Sequence, residues 1–410
     1  MRILFISHFF PKGTRPMVPW AFDLVKSVHD QPDVELLAVS PTPYVPRLFG
    51  RLGFKRALSE CPAEATLDGM RVLYPRWVSN CGGYGQLSFK HPHIPVWLNQ
   101  KVLGGALQRI CRQWKPDVLW GYFAVPTGVL MRDLKHRLGI PYVASEHSPG
   151  QMRMTLTLPR RLKMVRAVAT EAAAWHAVGN NLGDLMKQIA PSAKIAVIEN
   201  GAARIPNTMV AEADSQRARA RLRIVSVGYF FPGKNIPLLI RGFANVAGRH
   251  HSAELLIVGD GMDLPRIKRT IEETNMQDRV CLLGSLPHDQ TLREMASADI
   301  FALTSDIESF GTVLGEAASA GKPLIWTDGM GIASVLRSGV DGFCIRVGSL
   351  EDLTNALNRL LESAELRRQM GASAKELYES NLTWYHSGQR IAELLRGVVR
   401  EHERISAVRG

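Results

Sequence analysis

The segment DIESFGTVLGEA, residues 306–317, places two glutamates eight positions apart, with Ser-Phe-Gly directly after the first. It follows ADIFALTS, a run typical of a buried strand, and it continues into a helical pattern that Gly321 can end. The first amides of a helix have no intrahelical acceptor, and with the helix dipole they form a site for an anion. We therefore expect a phosphate to bind at four successive amides: those of Ser309, Phe310, Gly311 and Thr312.

The two glutamates of this segment are Glu308, in the predicted turn, and Glu316, about one turn further along. Eight helical steps of roughly 100° leave them about 80° apart, so both can face one site. A carboxylate beside a phosphate site is explained if it accepts hydrogen bonds from the diol of a ribose. Two alternatives stay open: Glu316 is a solvent-exposed helix residue, or Asp306 and Glu308 hold a metal ion. The amides already supply positive potential, which disfavours the metal.

A cation is available after another predicted strand. The segment SVGYFFPGKN places Lys234 in a turn between a strand and a helix, where a lysine can pair with a phosphate. The later segment LIVGDG is a strand that ends in a generic Gly-Asp-Gly turn. No G-x-G-x-x-G motif follows a strand, which argues against a nicotinamide dehydrogenase, and no P-loop motif occurs.

Short apolar runs alternate with helical patterns along the whole chain, which indicates parallel strands buried on both faces. The alternation of strands and helices starts again after a polar linker near residues 202–221, so we predict an α/β protein of two doubly wound, Rossmann-like domains. Their ligands are expected in a cleft between the carboxyl ends of the two facing sheets. The predicted divisions are an N-terminal domain over 1–203, a C-terminal domain over 204–384, and a final helix over 385–410 that packs back towards the first domain.

The distribution of charge indicates which kinds of partner to expect, and the cysteines indicate the cellular compartment. Residues 1–200 contain 25 Lys and Arg against 13 Asp and Glu, so the whole net charge of +12 lies in one half. This asymmetry favours a partner with phosphates, either a nucleic acid or a membrane surface, and the alternative is a role in solubility alone. The five cysteines are widely spaced and fit a reducing compartment. The N-terminus reads as a first strand, and no apolar run is long enough to span a bilayer.

Several of these segments together resemble the retaining family-four glycosyltransferases of the GT-B fold. The resemblance covers nearly the full chain, and its most specific part is the pair of glutamates in the strand–Glu-Ser-Phe-Gly–helix setting. The segments that carry it are VGYFFPGKN, IVGDG, LLGSLPHDQ, ESFGTVLGEAASAGKPLI and GVDGF in the second half, with KPDVLWGYFAVPTGVLMRDLKHRLGIPYVASEH and AVIENGA in the first.

The resemblance implies a role for each matching residue. Glu308 is expected to face the hydroxyls of the donor sugar, and Glu316 to bind the ribose diol. Lys234 and the amides at residues 309–312 are expected to hold the diphosphate. His147, which closes the strand PYVASEH, is expected to reach the donor sugar from the first domain, and a lone structural histidine is the alternative. Such enzymes need no metal and no cofactor; electrostatic stabilisation of the departing diphosphate is the main contribution.

Two positions depart from the family pattern. An arginine usually follows the strand glycine, but here Gly228 is followed by Tyr229, so one phosphate cation is missing. The N-terminal loop usually carries paired glycines that approach the phosphates, and here it has only Gly13. The neighbouring Lys12 and Arg15 could reach a phosphorylated acceptor or the donor.

The resemblance thus implies a retaining, metal-independent hexosyltransferase that takes its sugar from a UDP- or GDP-sugar. The acceptor is expected to be a glycan or lipid-linked glycan of cell-surface polysaccharide or glycoconjugate biosynthesis. The alternatives are a nucleotide-sugar epimerase of the same fold and a non-catalytic nucleotide-sugar-binding protein, for which Tyr229 is the best argument. DNA binding is disfavoured because no helix-turn-helix or basic repeat is present.

A membrane contact is also predicted in the first half. Residues 47–58, RLFGRLGFKRAL, interleave four basic residues with leucines and phenylalanines. As a helix, this segment could insert its apolar side chains into an anionic interface while its cations contact lipid phosphates. The alternative is that its apolar side chains pack in the core. The predicted location is cytoplasmic, peripheral on the inner face of the membrane.

Overall fold

The computed structural model describes residues 1–8, 10, 19–43, 58–77, 93–215 and 221–409. The predicted sites at Lys12, Gly13 and Arg15, and the predicted membrane segment up to residue 57, lie outside these residues. The chain divides into two compact units. Unit 1 contains Met1–Ile198 and Ser387–Gly410, and unit 2 contains Glu199–His386.

Strands and helices alternate through most of both units. The strands described are β1 (Arg2–Ile6), β2 (Glu35–Val39), β3 (Thr42–Pro43), β4 (Glu64–Leu67), β5 (Met70–Leu73), β6 (Arg76–Trp77), β7 (Val118–Tyr122), β8 (Tyr142–Glu146), β9 (Ala174–Ala177), β10 (Ile195–Val197), β11 (Leu222–Val227), β12 (Ala253–Val258), β13 (Val280–Gly284), β14 (Ile300–Leu303), β15 (Leu324–Thr327) and β16 (Gly342–Ile345). The α-helices described are α1 (Pro19–His29), α2 (His93–Trp114), α3 (Val129–Leu138), α4 (Pro149–Thr157), α5 (Pro159–Glu171), α6 (Asn180–Ile189), α7 (Asn207–Ser215), α8 (Ile236–Ala247), α9 (Leu264–Glu273), α10 (His288–Ala296), α11 (Thr312–Ser319), α12 (Leu350–Glu362), α13 (Ala364–Leu377) and α14 (Trp384–Arg409).

Unit 1 is built on an eight-stranded sheet with the order β10-β9-β8-β7-β1-β2-β5-β4. Its central strands β7 and β8 are buried along their whole length, as expected for parallel strands covered on both faces. The strand order reverses between β1 and β7, so the carboxyl ends of these strands flank the crevice in which a doubly wound sheet binds ligands.

The antiparallel hairpin of β4 and β5 was not predicted from the sequence. These strands pair Leu67 with Met70 across the two residues Asp68 and Gly69, which both have positive φ. An Asp-Gly pair between alternating residues is a strong hairpin signal, and the segment EATLDGMRVL carries it.

Unit 2 is built on a six-stranded parallel sheet with the order β13-β12-β11-β14-β15-β16. Counted from its first strand, this is the order 3-2-1-4-5-6 of dinucleotide-binding folds, and the reversal lies between β11 and β14. Apolar side chains of these strands and of α8, α9 and α12 form its core. In the part of the chain that the structure describes, no helix is both long enough and apolar enough to cross a bilayer.

Candidate functional site

Two turns meet at the strand-order reversal of unit 2, one after β11 and one after β14. Lys234 from the first turn forms an ion pair with Glu308 from the second, and both side chains are largely buried. The amide side chain of Asn235 donates to Asp306 Oδ1 over 3.0 Å, and the Asp306 amide donates to the Gly233 carbonyl over 2.8 Å. The predicted phosphate cation and the predicted sugar-binding carboxylate are thus brought together.

The first turn fixes the position of Lys234. A short 3-10 helix spans Pro232–Lys234, and Asn235 then adopts a left-handed conformation with φ 48 before α8 begins. The lysine chain lies across Gly228, where an added Cβ would meet its Cε at 3.4 Å. The extended lysine thus lies within van der Waals distance of the backbone at Gly228.

The second turn differs from the prediction. Helix α11 begins at Thr312, so of the four amides predicted at its start only the last belongs to the helix; Gly311 before it adopts φ 99, which an L-residue rarely adopts. Glu308 lies before the helix and pairs with Met330 in an isolated parallel bridge. The argument from helical angles between the two glutamates was therefore wrong, although both lie in the same unit.

The predicted anion site is changed in detail by this geometry. The Ser309 amide donates to Glu308 Oε1 over 3.2 Å. The Phe310 side chain is buried, so only its backbone can face a ligand. At the start of α11, the amides of Thr312 and Val313 have no backbone acceptor among the described residues, whereas the Leu314 amide donates to the Gly311 carbonyl over 2.9 Å.

Glu316 lies inside α11 and is 8% exposed, so the alternative of a solvent-exposed helix residue is wrong. The helix packs closely at this point, because a Cβ on Gly315 would approach that of Ala202 to 2.6 Å. Because the Glu316 carboxylate is largely shielded from water, it is placed to accept hydrogen bonds from other groups rather than from solvent.

The two acidic residues considered for a metal already have partners across the turns. Asp306 accepts from Asn235, and Glu308 pairs with Lys234. Within the described ranges, no group of three or more His, Cys, Asp or Glu residues is arranged to hold a metal ion.

An open cleft of about 680 Å³ lies at the carboxyl ends of β11, β12 and β13. Its walls include the turn at Gly228, the Gly-Asp-Gly turn and Ser285. Gly259 and Gly261 have positive φ and pass so close to the first turn that a Cβ on Gly259 would reach the Gly228 carbonyl oxygen at 1.9 Å. Tyr229, which stands where a cation was expected, also lines the cleft and is 65% exposed.

In unit 1, His147 follows β8 and is enclosed by aromatic rings. The Trp20 ring stacks on the imidazole with 4.4 Å between centroids, and the Tyr122 ring meets its edge at 4.5 Å. The side chain is 5% exposed, and neither ring nitrogen has a hydrogen-bond partner among the described residues. Burial lowers the pKa of His147 well below its usual value, so the imidazole is neutral near pH 7.

His176 is a structural histidine and differs from His147 in this respect. Its Nε2 donates to the Ile198 carbonyl and its Nδ1 accepts from the Ser145 hydroxyl, both over 2.8 Å. Ser145 in turn accepts from the Trp120 indole over 2.8 Å. Burial lowers the pKa of His176 to about 4. Both nitrogens of His176 are thus bonded within the protein, whereas those of His147 have no such partner in the part of the chain that the structure describes.

Glu146, the last residue of β8, was not singled out from the sequence. It is fully buried, and its Oε1 accepts from the Ala124 amide in the turn after β7 over 2.7 Å. Burial raises its pKa to about 7, and the Ala124 amide and the Arg161 guanidinium oppose this by favouring the ionised form. The signal was a carboxylate in the otherwise uncharged strand YVASE.

Two models of related protein families together match most of the chain. The model described as "Glycosyl transferases group 1" matches residues 211–377, and that described as "Glycosyltransferase Family 4" matches residues 70–203. The first match contains both glutamates and Lys234, and the second contains His147.

Two curated relatives illustrate the similarity. The GPI3 subunit of phosphatidylinositol N-acetylglucosaminyltransferase from Saccharomyces cerevisiae is 29% identical over 204 residues, which are 47% of this chain and 45% of the yeast protein. The matched part thus spans about half the length of that relative. The GDP-mannose-dependent alpha-(1-6)-phosphatidylinositol monomannoside mannosyltransferase from Mycolicibacterium smegmatis is 22% identical over 350 residues, 80% of this chain and 90% of its own.

A solved structure extends the similarity to the fold. Sucrose-phosphate synthase from Thermosynechococcus elongatus matches with a TM-score of 0.78 at 16% identity, over 98% of this chain and 99% of the other. At this identity the likeness establishes the fold, and it confirms the prediction of two Rossmann-like domains of the GT-B type.

Proposed function

The chain belongs to the family-four glycosyltransferases, and on this premise we propose that it transfers a sugar, with retention, from a nucleotide-diphosphate sugar to a glycan or lipid-linked glycan. The observation that carries the proposal is the Lys234–Glu308 pair at the strand-order reversal of unit 2, next to the amino end of α11. Ligands of doubly wound sheets bind at this place, and a cation beside free amides suits a diphosphate.

The diphosphate of the donor would be held by Lys234 and by the first amides of α11. As the anomeric bond breaks, negative charge grows on the departing diphosphate, and preorganised donors there stabilise it more than they stabilise the bound donor. This arrangement needs no metal ion. The donor would displace part of the Lys234–Glu308 ion pair, because one ammonium group then serves both partners.

Glu308 would turn towards the hydroxyls of the transferred sugar, and buried Glu316 would accept hydrogen bonds from the ribose diol. The neutral His147 would exchange hydrogen bonds with a sugar hydroxyl, since one ring nitrogen donates and the other accepts. The adjoining cleft at the ends of β11–β13 is large enough for the nucleoside. The choice between UDP- and GDP-sugars would be made there.

The acceptor is proposed by analogy with the relatives. The names of the yeast and mycobacterial proteins place their acceptors among phosphatidylinositols, and the second names GDP-mannose as donor. A lipid-linked acceptor would bind unit 1, which carries the excess of positive charge. We place the reaction in the cytoplasm at the inner face of the membrane, in keeping with the unpaired cysteines among the described residues.

The test is a transfer assay with a panel of UDP- and GDP-sugars and lipid-linked acceptors, with the anomeric configuration of the product read by NMR. We expect a glycosidic product that keeps the configuration of the donor. Incubation with donor alone is the matched control, because a donor isomer formed without acceptor identifies an epimerase. An inverted product would contradict the retaining mechanism.

Tyr229 favours a second candidate, a non-catalytic nucleotide-sugar-binding protein. Its exposed ring replaces an expected phosphate cation, which leaves Lys234 as the cation supplied by the described turn. Transition-state stabilisation depends on such charges more than ground-state binding does. Binding of nucleotide sugars without turnover over the whole panel would support this candidate, and recovery of turnover in Tyr229→Arg would identify the cause.

A further inference from the structure

The structure of unit 1 contains a basic and apolar surface that the catalytic proposal does not use. Residues 147–170 contain five Arg and Lys and no Asp or Glu. This stretch forms α4 and α5, joined at Leu158 in an extended conformation. We name the outer surface of this joint the α4–α5 corner, and define it by Arg153, Met154, Leu156, Leu158, Arg160 and Lys163.

The two helices turn one face inward and the other to solvent. In α4 the buried residues include Met152 and Thr155, so Arg153 and Leu156, three apart, share the outer face. In α5 the buried residues include Arg161 and Val165, so the outer face carries the two remaining cations of the corner. The inner face is firmly held, because Arg161 donates from Nε to Thr155 over 2.9 Å.

The outer cations have no partner among the described residues. Arg153, Arg160 and Lys163 are exposed, and none of them forms an ion pair or hydrogen bond with the described residues. The first acid after this stretch, Glu171, is engaged by Arg132 and His136, and the last acid before it, Glu146, is fully buried. Leu156 is 39% exposed, and Met154 and Leu158 are partly exposed. Three unpaired cations around exposed apolar side chains match an interface of lipid phosphates over acyl chains.

The position of the corner relates it to His147. Helix α4 begins at Pro149, directly after the carboxyl end of β8, and nine residues at 1.5 Å each carry the chain roughly 13 Å to the joint. A bilayer that contacts the joint therefore lies within reach of a short, lipid-anchored head group whose sugar is presented at the carboxyl ends of the strands. This step rests on the proposed function; the surface itself does not.

We propose that unit 1 docks on an anionic lipid bilayer through the α4–α5 corner. Met154, Leu156 and Leu158 enter the interface, while Arg153, Arg160 and Lys163 contact lipid phosphates. A single basic residue near an anionic surface raises partitioning by roughly five-fold, and the three together by about 100-fold. Salt weakens the electrostatic part, because exposed charges are screened.

The test is co-sedimentation of the full chain with vesicles of phosphatidylglycerol and phosphatidylcholine, and of phosphatidylcholine alone, over a salt series. The variant R153Q/R160Q/K163Q is expected to lose about 100-fold in partitioning to the anionic vesicles. The control R249Q/K268Q/R269Q removes the same charge from exposed positions of unit 2 and is expected to bind like the wild type. Leu156→Ser should weaken binding at high salt as well, since its contribution is apolar.

Several outcomes overturn the proposal: equal loss in both triple variants, equal partition to both vesicles, or loss only when Arg51, Lys55 and Arg56 are replaced. The last would assign docking to residues 47–58. Melting temperature and nucleoside-diphosphate affinity, measured on each variant, separate unfolding from loss of docking. Transfer to a water-soluble acceptor is expected to survive in R153Q/R160Q/K163Q, so its absence in the wild type would count against the proposed function and not against docking.

Discussion

Replacement of Glu308 by glutamine separates binding of the donor from its reaction. Glutamine keeps the size of the side chain but removes the charge that pairs with Lys234. In the free protein Glu308 pairs with the Lys234 ammonium group that the diphosphate needs. In the complex the Glu308 carboxylate repels the phosphates. We therefore expect Glu308→Gln to bind nucleoside diphosphates more tightly while its kcat falls at least 100-fold.

The magnitude follows from the geometry of the turns. Two unit charges about 4 Å apart interact by about 4 kcal/mol at an effective dielectric of 20. Both side chains retain some solvent exposure, so screening and the cost of desolvating Lys234 leave roughly 1–2 kcal/mol for binding. This corresponds to about 5- to 30-fold tighter binding of UDP or GDP.

The assay is isothermal titration of UDP and GDP, combined with kcat from transfer. The matched control is Glu254→Gln, which breaks a similarly buried pair with Arg223 at the amino ends of β11 and β12. That variant should bind nucleoside diphosphates like the wild type. A ten-fold loss of affinity in Glu308→Gln would refute the reasoning, because Glu308 would then act by holding the turn rather than through its charge.

Three further predictions test other residues of the site. Glu316→Ala should raise the donor KM about ten-fold or more with a smaller effect on kcat, because ribose contacts serve ground state and transition state alike; kcat loss at constant KM would contradict this. Transfer should persist in excess EDTA, and a loss restored by Mg²⁺ or Mn²⁺ would revive a metal at Asp306 and Glu308. Glu146→Gln should remove a pH dependence of stability. Because burial raises the pKa of Glu146 to about 7, the wild type should lose up to roughly 3 kcal/mol relative to Glu146→Gln as pH rises from about 4.5 to 7, measured by urea unfolding; parallel curves would contradict this.

Much of the fold could be predicted because its signals are local. Strands such as β7 and β14 are short, continuous apolar runs, since both of their faces are covered. Glycine, proline and charged residues mark the turns that follow such strands. These local signals placed Lys234 and Glu308 at strand-to-helix turns from the sequence alone. The hairpin of β4 and β5 was predictable by the same local reasoning, from its Asp-Gly pair.

The arrangement of the site was decided by tertiary structure. Lys234 and Glu308 are 74 residues apart, and they meet because β11 and β14 are neighbours in the sheet, an order that no local pattern states. The left-handed Gly311 begins α11 only at Thr312, so residues 308–311 are not helical and the angle between Glu308 and Glu316 could not be derived from helix geometry. Burial of Glu316, the aromatic enclosure of His147 and the bond from Ala124 to Glu146 likewise depend on packing between distant segments. The sequence determines which residues lie at the ends of strands, because apolar periodicity is a local property. The strand order determines which of those residues contact one another, because the free energy of such contacts is gained only when the sheet assembles.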